Sequence, residues 1–252
     1  MTPCPISSQL KDLRLTGMHK AYEEQCLSSS YQDMTFDDRL NFLLQREITD
    51  RENRALQSRL SKAKFKGTGI IEEVQPSASR GLDKTLMTQL GQCAWIKDKR
   101  NIVLTGPSGS GKTFLATAIS RKACHLGYTA RYFRAANLLA ELESSREEGQ
   151  FIRNVTVLGR PNVLIIDDFC LSSMSEQEEK DFFELIEERH GKNSTIFTSQ
   201  NPVSLWHGLM PNPAIADAIL DRIIHNAVRI ELRGESRRKK STELDSDPSK
   251  AS

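Results

Sequence analysis

Gly106-Pro107-Ser108-Gly109-Ser110-Gly111-Lys112-Thr113 matches the pattern G-x-x-x-x-G-K-[ST] at every fixed position. The β-type run Ile102-Val103-Leu104 precedes it, and the helical run Phe114-Leu115-Ala116-Thr117-Ala118-Ile119 follows. A strand, a glycine-rich loop and a helix in that order constrain the chain to an α/β fold that binds phosphate. The glycines let the backbone curl with its N–H groups inward, and the helix N-terminus adds the positive end of its dipole. Residues 106–114, through Phe114, are therefore expected to hold a nucleotide. Lys112 is expected to reach the β- and γ-phosphates, and the Thr113 hydroxyl to coordinate magnesium, a hard cation that takes oxygen ligands.

A second motif completes the chemistry. Val163-Leu164-Ile165-Ile166 is an apolar run that ends in Asp167-Asp168. A buried parallel strand of this kind delivers carboxylates to the carboxyl edge of the sheet, beside the phosphate loop. Asp167 is expected to hold magnesium through water, and Asp168 to orient or deprotonate the attacking water. The run 195–202 reads as another central strand ending in amides and hydroxyls, with Gln200 and then Ser199 the candidates for the γ-phosphate or the water; ordinary strand-end turn chemistry is the alternative. Arg222, next to Asp221 on an apolar helix, is either half of a surface ion pair or an arginine finger acting on a neighbouring subunit. No N-K-x-D sequence follows the acidic motif, so adenine is the expected base. The expected cofactors are ATP and Mg2+.

The rest of the chain frames these motifs. Its 252 residues, 38% of them apolar and 27% charged, suit one substantial core and a small accessory region. Lys and Arg number 35 against 33 Asp and Glu, a net charge of +2, so a basic surface could only come from uneven distribution. No purely apolar run exceeds the four residues of 163–166 and the first twenty residues lack a signal-peptide layout, so a soluble, cytoplasmic protein with no membrane partner is expected. Five cysteines, scattered and never spaced C-x-x-C, read as reduced structural thiols.

Residues 1–75 read as a small all-helical N-terminal domain. Leu10, Leu13, Met18, Ala21 and Tyr22 form the apolar stripe of a first helix, Ser28-Ser29-Ser30 breaks it, and Thr35 with Asp38 starts a second. That second helix becomes basic through Arg51, Arg54, Arg59, Lys62, Lys64 and Lys66 until Gly67-Thr68-Gly69 stops it. Its end is either a nucleic-acid surface or a solvated face with pairs such as Glu47 and Arg51. Residues 75–81 read as a linker. A nucleotide-binding domain is expected over 76–240, with strands at 101–105, 129–134, 163–167, 195–199 and 227–232, and a disordered polar tail over 241–252.

Further segments point to a family. Leu43-Leu44-Gln45-Arg46-Glu47, Arg51-Glu52-Asn53-Arg54, Arg80-Gly81-Leu82-Asp83, Thr198-Ser199-Gln200, residues 216–222, His225-Asn226-Ala227 and residues 229–236 accompany the two motifs. Together they cover nearly the whole chain. It resembles the IstB-type transposition helper ATPases, relatives of the DnaC helicase loaders and DnaA initiators in the AAA+ group. The resemblance implies an AAA+ P-loop domain with a five-stranded parallel sheet behind a helical domain. It also implies a homo-oligomer with shared ATP sites that assembles on double-stranded DNA largely independently of sequence, marks the integration site and activates a cognate transposase, in the bacterial cytoplasm. Under it Arg222 takes the arginine-finger role and Arg237 that of a second nucleotide sensor. Phe114 stands where the family often has His, and Cys170 where it often has Gly. A DnaC-like helicase loader is the alternative; a P-loop kinase acting on a small molecule is a third reading.

Overall fold

The computed structural model describes residues 5–233. Arg237 and the tail from 241 lie outside the described residues. Packing divides the chain into two compact units, Met1–Ser58 and Arg59–Ser252.

The first unit is helical, as its stripes imply: α1 spans Pro5–Asp12, α2 Thr16–Leu27, and α3 begins at Phe36 and runs to Ala63. The stretch expected as one helix is two. Arg14 turns left-handed at φ 57° and Leu15 N donates to the Leu10 carbonyl, which ends α1 while the apolar stripe continues in sequence. Thr35 starts α3 as expected, its hydroxyl accepting the Asp38 amide at 3.2 Å. Glu47 of α3 is buried and accepts the Gly17 and Met18 amides at 2.8 and 3.1 Å, so a carboxylate caps the first turn of α2. Burial pushes its pKa up, but the Arg51 guanidinium and the Met18 and Gly17 amides outweigh that and hold it below the ordinary carboxylate range. Arg54 pairs with Asp50 at 2.8 Å. Arg51 and Arg54 are thus ion-paired yet exposed on α3.

The second unit holds α4 (Lys84–Gln92), α5 (Ala94–Lys97), β1 (Asn101–Thr105), α6 (Lys112–His125), β2 (Ala130–Arg134), α7 (Ala135–Glu147), α8 (Phe151–Gly159), β3 (Val163–Asp167), α9 (Glu176–Arg189), β4 (Ser194–Ser199), α10 (Pro213–Ile224) and β5 (Ala227–Glu231). All pairings are parallel, in the order β2-β3-β4-β1-β5. The five expected strands are present within a residue at each end. Every residue of β3 and β4 is buried, as befits central strands covered on both faces. Val103, Leu164, Ile166 and Phe197 point into a core shared with α7 to α10, where Phe169 stacks on Phe182 and meets Trp206 edge-on. Residues of the other parity, Ile102, Leu104, Ile165 and Ile196, are buried on the face that α6 covers.

The stretch expected as a linker is ordered within this unit: Ser77 and Leu82 exchange backbone hydrogen bonds and Asp83 caps α4. Arg189 is fully buried and donates to Thr195 and to the carbonyls of Leu158, Gly159 and Pro161, which ties α9 to the end of α8. No described helix is long and apolar enough to cross a membrane.

Candidate functional site

At the carboxyl edge of the sheet, a cavity of about 600 Å³ opens over the loop between β1 and α6. The loop turns back on itself because Gly106, at φ 144°, brings its Cα within reach of the β5 exit. A Cβ there would lie 2.3 Å from the Leu232 carbonyl oxygen, so only glycine fits. Ser108, Gly109, Gly111, Lys112, Thr113 and Phe114 line the cavity. Gly106 and Pro107 contribute from behind, their carbonyls accepting the Lys112 ammonium at 2.7 and 2.9 Å. The Ser110 carbonyl accepts from Arg80 at 2.9 Å. The first amides of α6 face the loop, the arrangement that holds an anionic oxygen.

The order of the strands places β4 between β1 and β3, and this arranges the acidic pair. Asp167, at the end of β3, is 1% exposed. One carboxylate oxygen accepts from Thr113 at 2.8 Å and from Thr198 at 2.5 Å, and the other from the Tyr132 hydroxyl at 2.7 Å. Burial, and then the Asp167 carboxylate, push the Tyr132 phenol well above its ordinary pKa, so it stays a donor. Thr198 also accepts the Asp168 amide at 3.1 Å, so one hydroxyl positions both aspartates. Asp168 itself is left-handed, φ 59°, an uncommon backbone state for a residue with a side chain. Its carboxylate pairs with Arg134 at 3.1 Å.

Asp167 and the Thr113 hydroxyl are hard oxygen donors within 2.8 Å of each other. That is the donor set of a magnesium ion shared with phosphate oxygens and water. Among the described residues no group of three or more His, Cys, Asp or Glu forms a metal cage. Val74, Leu82, Phe114, Leu171 and Leu232 give the cavity apolar walls for a base.

Gln200 lines the cavity as expected. Ser199 does not: it is fully buried and its hydroxyl donates to the Phe169 carbonyl at 2.6 Å, an internal turn contact. Lys66, grouped by sequence with the basic helix end, lines the nucleotide cavity instead, because the chain turns after Lys64. Arg59 donates to the Cys124 carbonyl at 2.9 Å, while Lys62 and Lys64 are exposed. Arg222 is remote from this cavity. It lies on α10 at the amino edge of the sheet, bordering a second cavity with Asn101, the first residue of β1. There its guanidinium pairs with Glu187, donates to the Ala218 carbonyl at 2.9 Å and lies over the Phe183 ring. Tyr132, Arg134 and Thr198 were not among the site residues expected from sequence. The polar Tyr132 and Arg134 at the end of an otherwise unremarked strand were the only hint of the first two.

Comparison with known proteins decides the family, since residues 8–245 match the IstB-like ATP binding protein family. The chain belongs to it. A Sinorhizobium fredii protein described as an insertion-sequence ATP-binding protein is 41% identical over 235 residues, covering 93% of this chain and 96% of that one. An ATP-binding protein described for insertion sequence IS1162 of Pseudomonas fluorescens is 39% identical over 198 residues, 78% of this chain and 86% of its own. Among solved structures, DnaA of Aquifex aeolicus bound to AMPPCP superposes with a TM-score of 0.55 at 18% identity, over 75% of this chain and 58% of that chain. The DnaC helicase loader does so at 0.53 and 18% identity, over 66% and 97%. This IstB-like protein therefore has the AAA+ P-loop fold, and its sequence kin are insertion-sequence ATP-binding proteins.

Proposed function

We propose that the protein is the ATP-hydrolysing helper of an insertion sequence, which assembles as an oligomer on double-stranded DNA, selects the integration site and activates its partner transposase. The observation that carries the shared-site reading is the separation of Arg222 from Lys112, Thr113, Asp167 and Asp168. They lie at opposite ends of the five-residue strand β1, roughly 13 Å of extended chain. Arg222 serves a phosphate only when a second copy presents one.

In that arrangement the amides of the phosphate loop and the Lys112 ammonium hold the phosphate chain, and Thr113 with Asp167 holds magnesium. Bound magnesium would neutralise charge on the phosphate oxygens. Thr198 keeps both aspartates in place. Asp168 accepts the proton of the attacking water, and Gln200 orients that water from just beyond β4. Arg222 from the neighbouring copy stabilises the γ-phosphate, so assembly depends on intact ATP and hydrolysis releases it. Lys62 and Lys64 contribute to a surface for DNA phosphates, which gives weak sequence preference and steep salt dependence. Arg237 as a second sensor is part of the same proposal, and a cytoplasmic, DNA-associated location follows from the partners.

The test is ATP-dependent assembly on random-sequence duplex, followed by light scattering, with Lys112→Ala and Arg222→Ala as controls. Wild type assembles with ATP and not with ADP, and both variants fail. If both variants assemble as wild type does, the cycle is wrong. Capture of a helicase rather than a transposase by the assembled protein would replace the transposition role with that of a loader.

A further inference from the structure

Arg80 enters the nucleotide cavity from outside the two motifs. It ends a short helical turn, Ala78–Arg80, and its position is held by the backbone on three sides. Ser77 N donates to Leu82 O at 2.6 Å and Leu82 N to Ser77 O at 3.1 Å, which closes the loop on itself. Gly81, at φ 79°, packs so closely on β5 that a Cβ would lie 2.3 Å from the Glu231 carbonyl oxygen. The Arg80 carbonyl accepts Arg233 N at 3.2 Å where the chain leaves β5. A backbone so constrained aims its side chain reproducibly. The guanidinium donates to the Ser110 carbonyl at 2.9 Å, lies 3.7 Å from where a Cβ of Gly111 would be, and lines the cavity.

We propose that Arg80 is a nucleotide-binding residue, a second cation beside Lys112 that contacts the phosphate chain of the nucleotide held by the loop. The inference rests on the reading of this cavity as a nucleotide site. A half-buried guanidinium lining a phosphate cavity adds a permanent charge and a planar fork of five N–H donors. One donor on Ser110 and another on a phosphate oxygen can coexist in that plane. Lys112 and Arg80 then approach the anion from opposite flanks of the loop, one from α6 and one from the segment ahead of α4.

The experiment compares Arg80→Lys and Arg80→Gln with wild type by fluorescence titration of labelled ATP, ADP and AMP, alongside unfolding of the nucleotide-free protein. A phosphate contact predicts that the Gln variant binds ATP about tenfold or more weakly while the Lys variant stays within about threefold, because charge and not only hydrogen bonding is used. A Gln variant that binds ATP as tightly as wild type overturns the proposal and leaves Arg80 a brace for Ser110. Labelling of wild-type arginines with phenylglyoxal, read by peptide mass spectrometry, needs no variant to fold. ATP protects Arg80 if the contact exists, and unchanged labelling with saturating ATP overturns it. Lys112→Ala separates the two levels: if that variant also binds ATP normally, the nucleotide reading fails, whereas normal binding by the Arg80 variants alone removes only this inference.

Discussion

Arg134, the last residue of β2, and Asp168, the first beyond β3, form an ion pair at 3.1 Å across the mouth of the nucleotide cavity. The carboxylate assigned to the attacking water is thus held by a cation from the edge strand. Asp168→Asn is expected to lower ATP turnover by about 10²–10⁴-fold while ATP still binds, the range for a lost general base. Arg134→Gln frees the carboxylate and is expected to raise DNA-independent turnover, by no more than about fivefold because a pair this exposed is worth at most ~1 kcal/mol. A steady-state assay without DNA measures both, and an Asp168→Asn enzyme with wild-type turnover would remove Asp168 from the chemistry.

Thr198 donates to Asp167 and accepts the Asp168 amide. Thr198→Val keeps the shape and strips the hydroxyl, leaving that half-buried amide without its acceptor. The expected cost is about 1–3 kcal/mol of stability in the nucleotide-free protein, with Thr198→Ser close to wild type. Urea unfolding of the three proteins checks it; equal stability of the Val variant would show that the hydroxyl does not organise the pair.

Glu47 caps α2 as a buried carboxylate with a lowered pKa. A lowered folded value means that its contribution is fully present above the ordinary carboxylate range and is lost as pH falls through the folded value. Glu47→Gln should therefore cost about 1–2 kcal/mol at pH 7, discounted for the water-exposed side of Arg51, and progressively less below about pH 4. Denaturation midpoints of both proteins across that range test the sign. A difference that grows on acidification contradicts it.

Burial pushes the thiols of Cys93 and Cys124 up to about 11 and that of Cys170 up to about 12, while Cys26 is exposed. Iodoacetamide at pH 8 is expected to label Cys26 readily, with Cys93, Cys124 and Cys170 modified only after unfolding, since the thiolate is the reactive species. Peptide mass spectrometry against time reads this directly. Rapid labelling of Cys170 in the folded protein would mean that the turn after Asp168 opens.

Much of the molecule is legible in local sequence. The phosphate loop, β1 to β5, the start of α3 at Thr35 and the acidic end of β3 all follow from short-range rules of backbone freedom, capping and apolar periodicity. These depend on neighbours within a few positions. Gln200 was found because it directly follows a readable strand. Ser199 was misread because parity sends adjacent residues of a strand to opposite sides, and only the sheet says which side faces the cavity. The split of the first helix at Arg14 escaped because the apolar stripe runs through it.

What the tertiary structure alone decided concerns which distant residues share a space. Inserting β4 between β1 and β3 makes Thr198 the link between the aspartates, and the edge position of β2 brings Tyr132 and Arg134 to the same mouth. Packing of residues 77–82 on β5 carries Arg80 to the loop, and the length of β1 keeps Arg222 away from it. Sequence by itself determined that a phosphate would be bound here, since eight consecutive residues suffice for a loop of inward N–H groups. It could not determine the company that loop keeps, because strand order and chain crossing are set by burial of the whole core rather than by any local stretch.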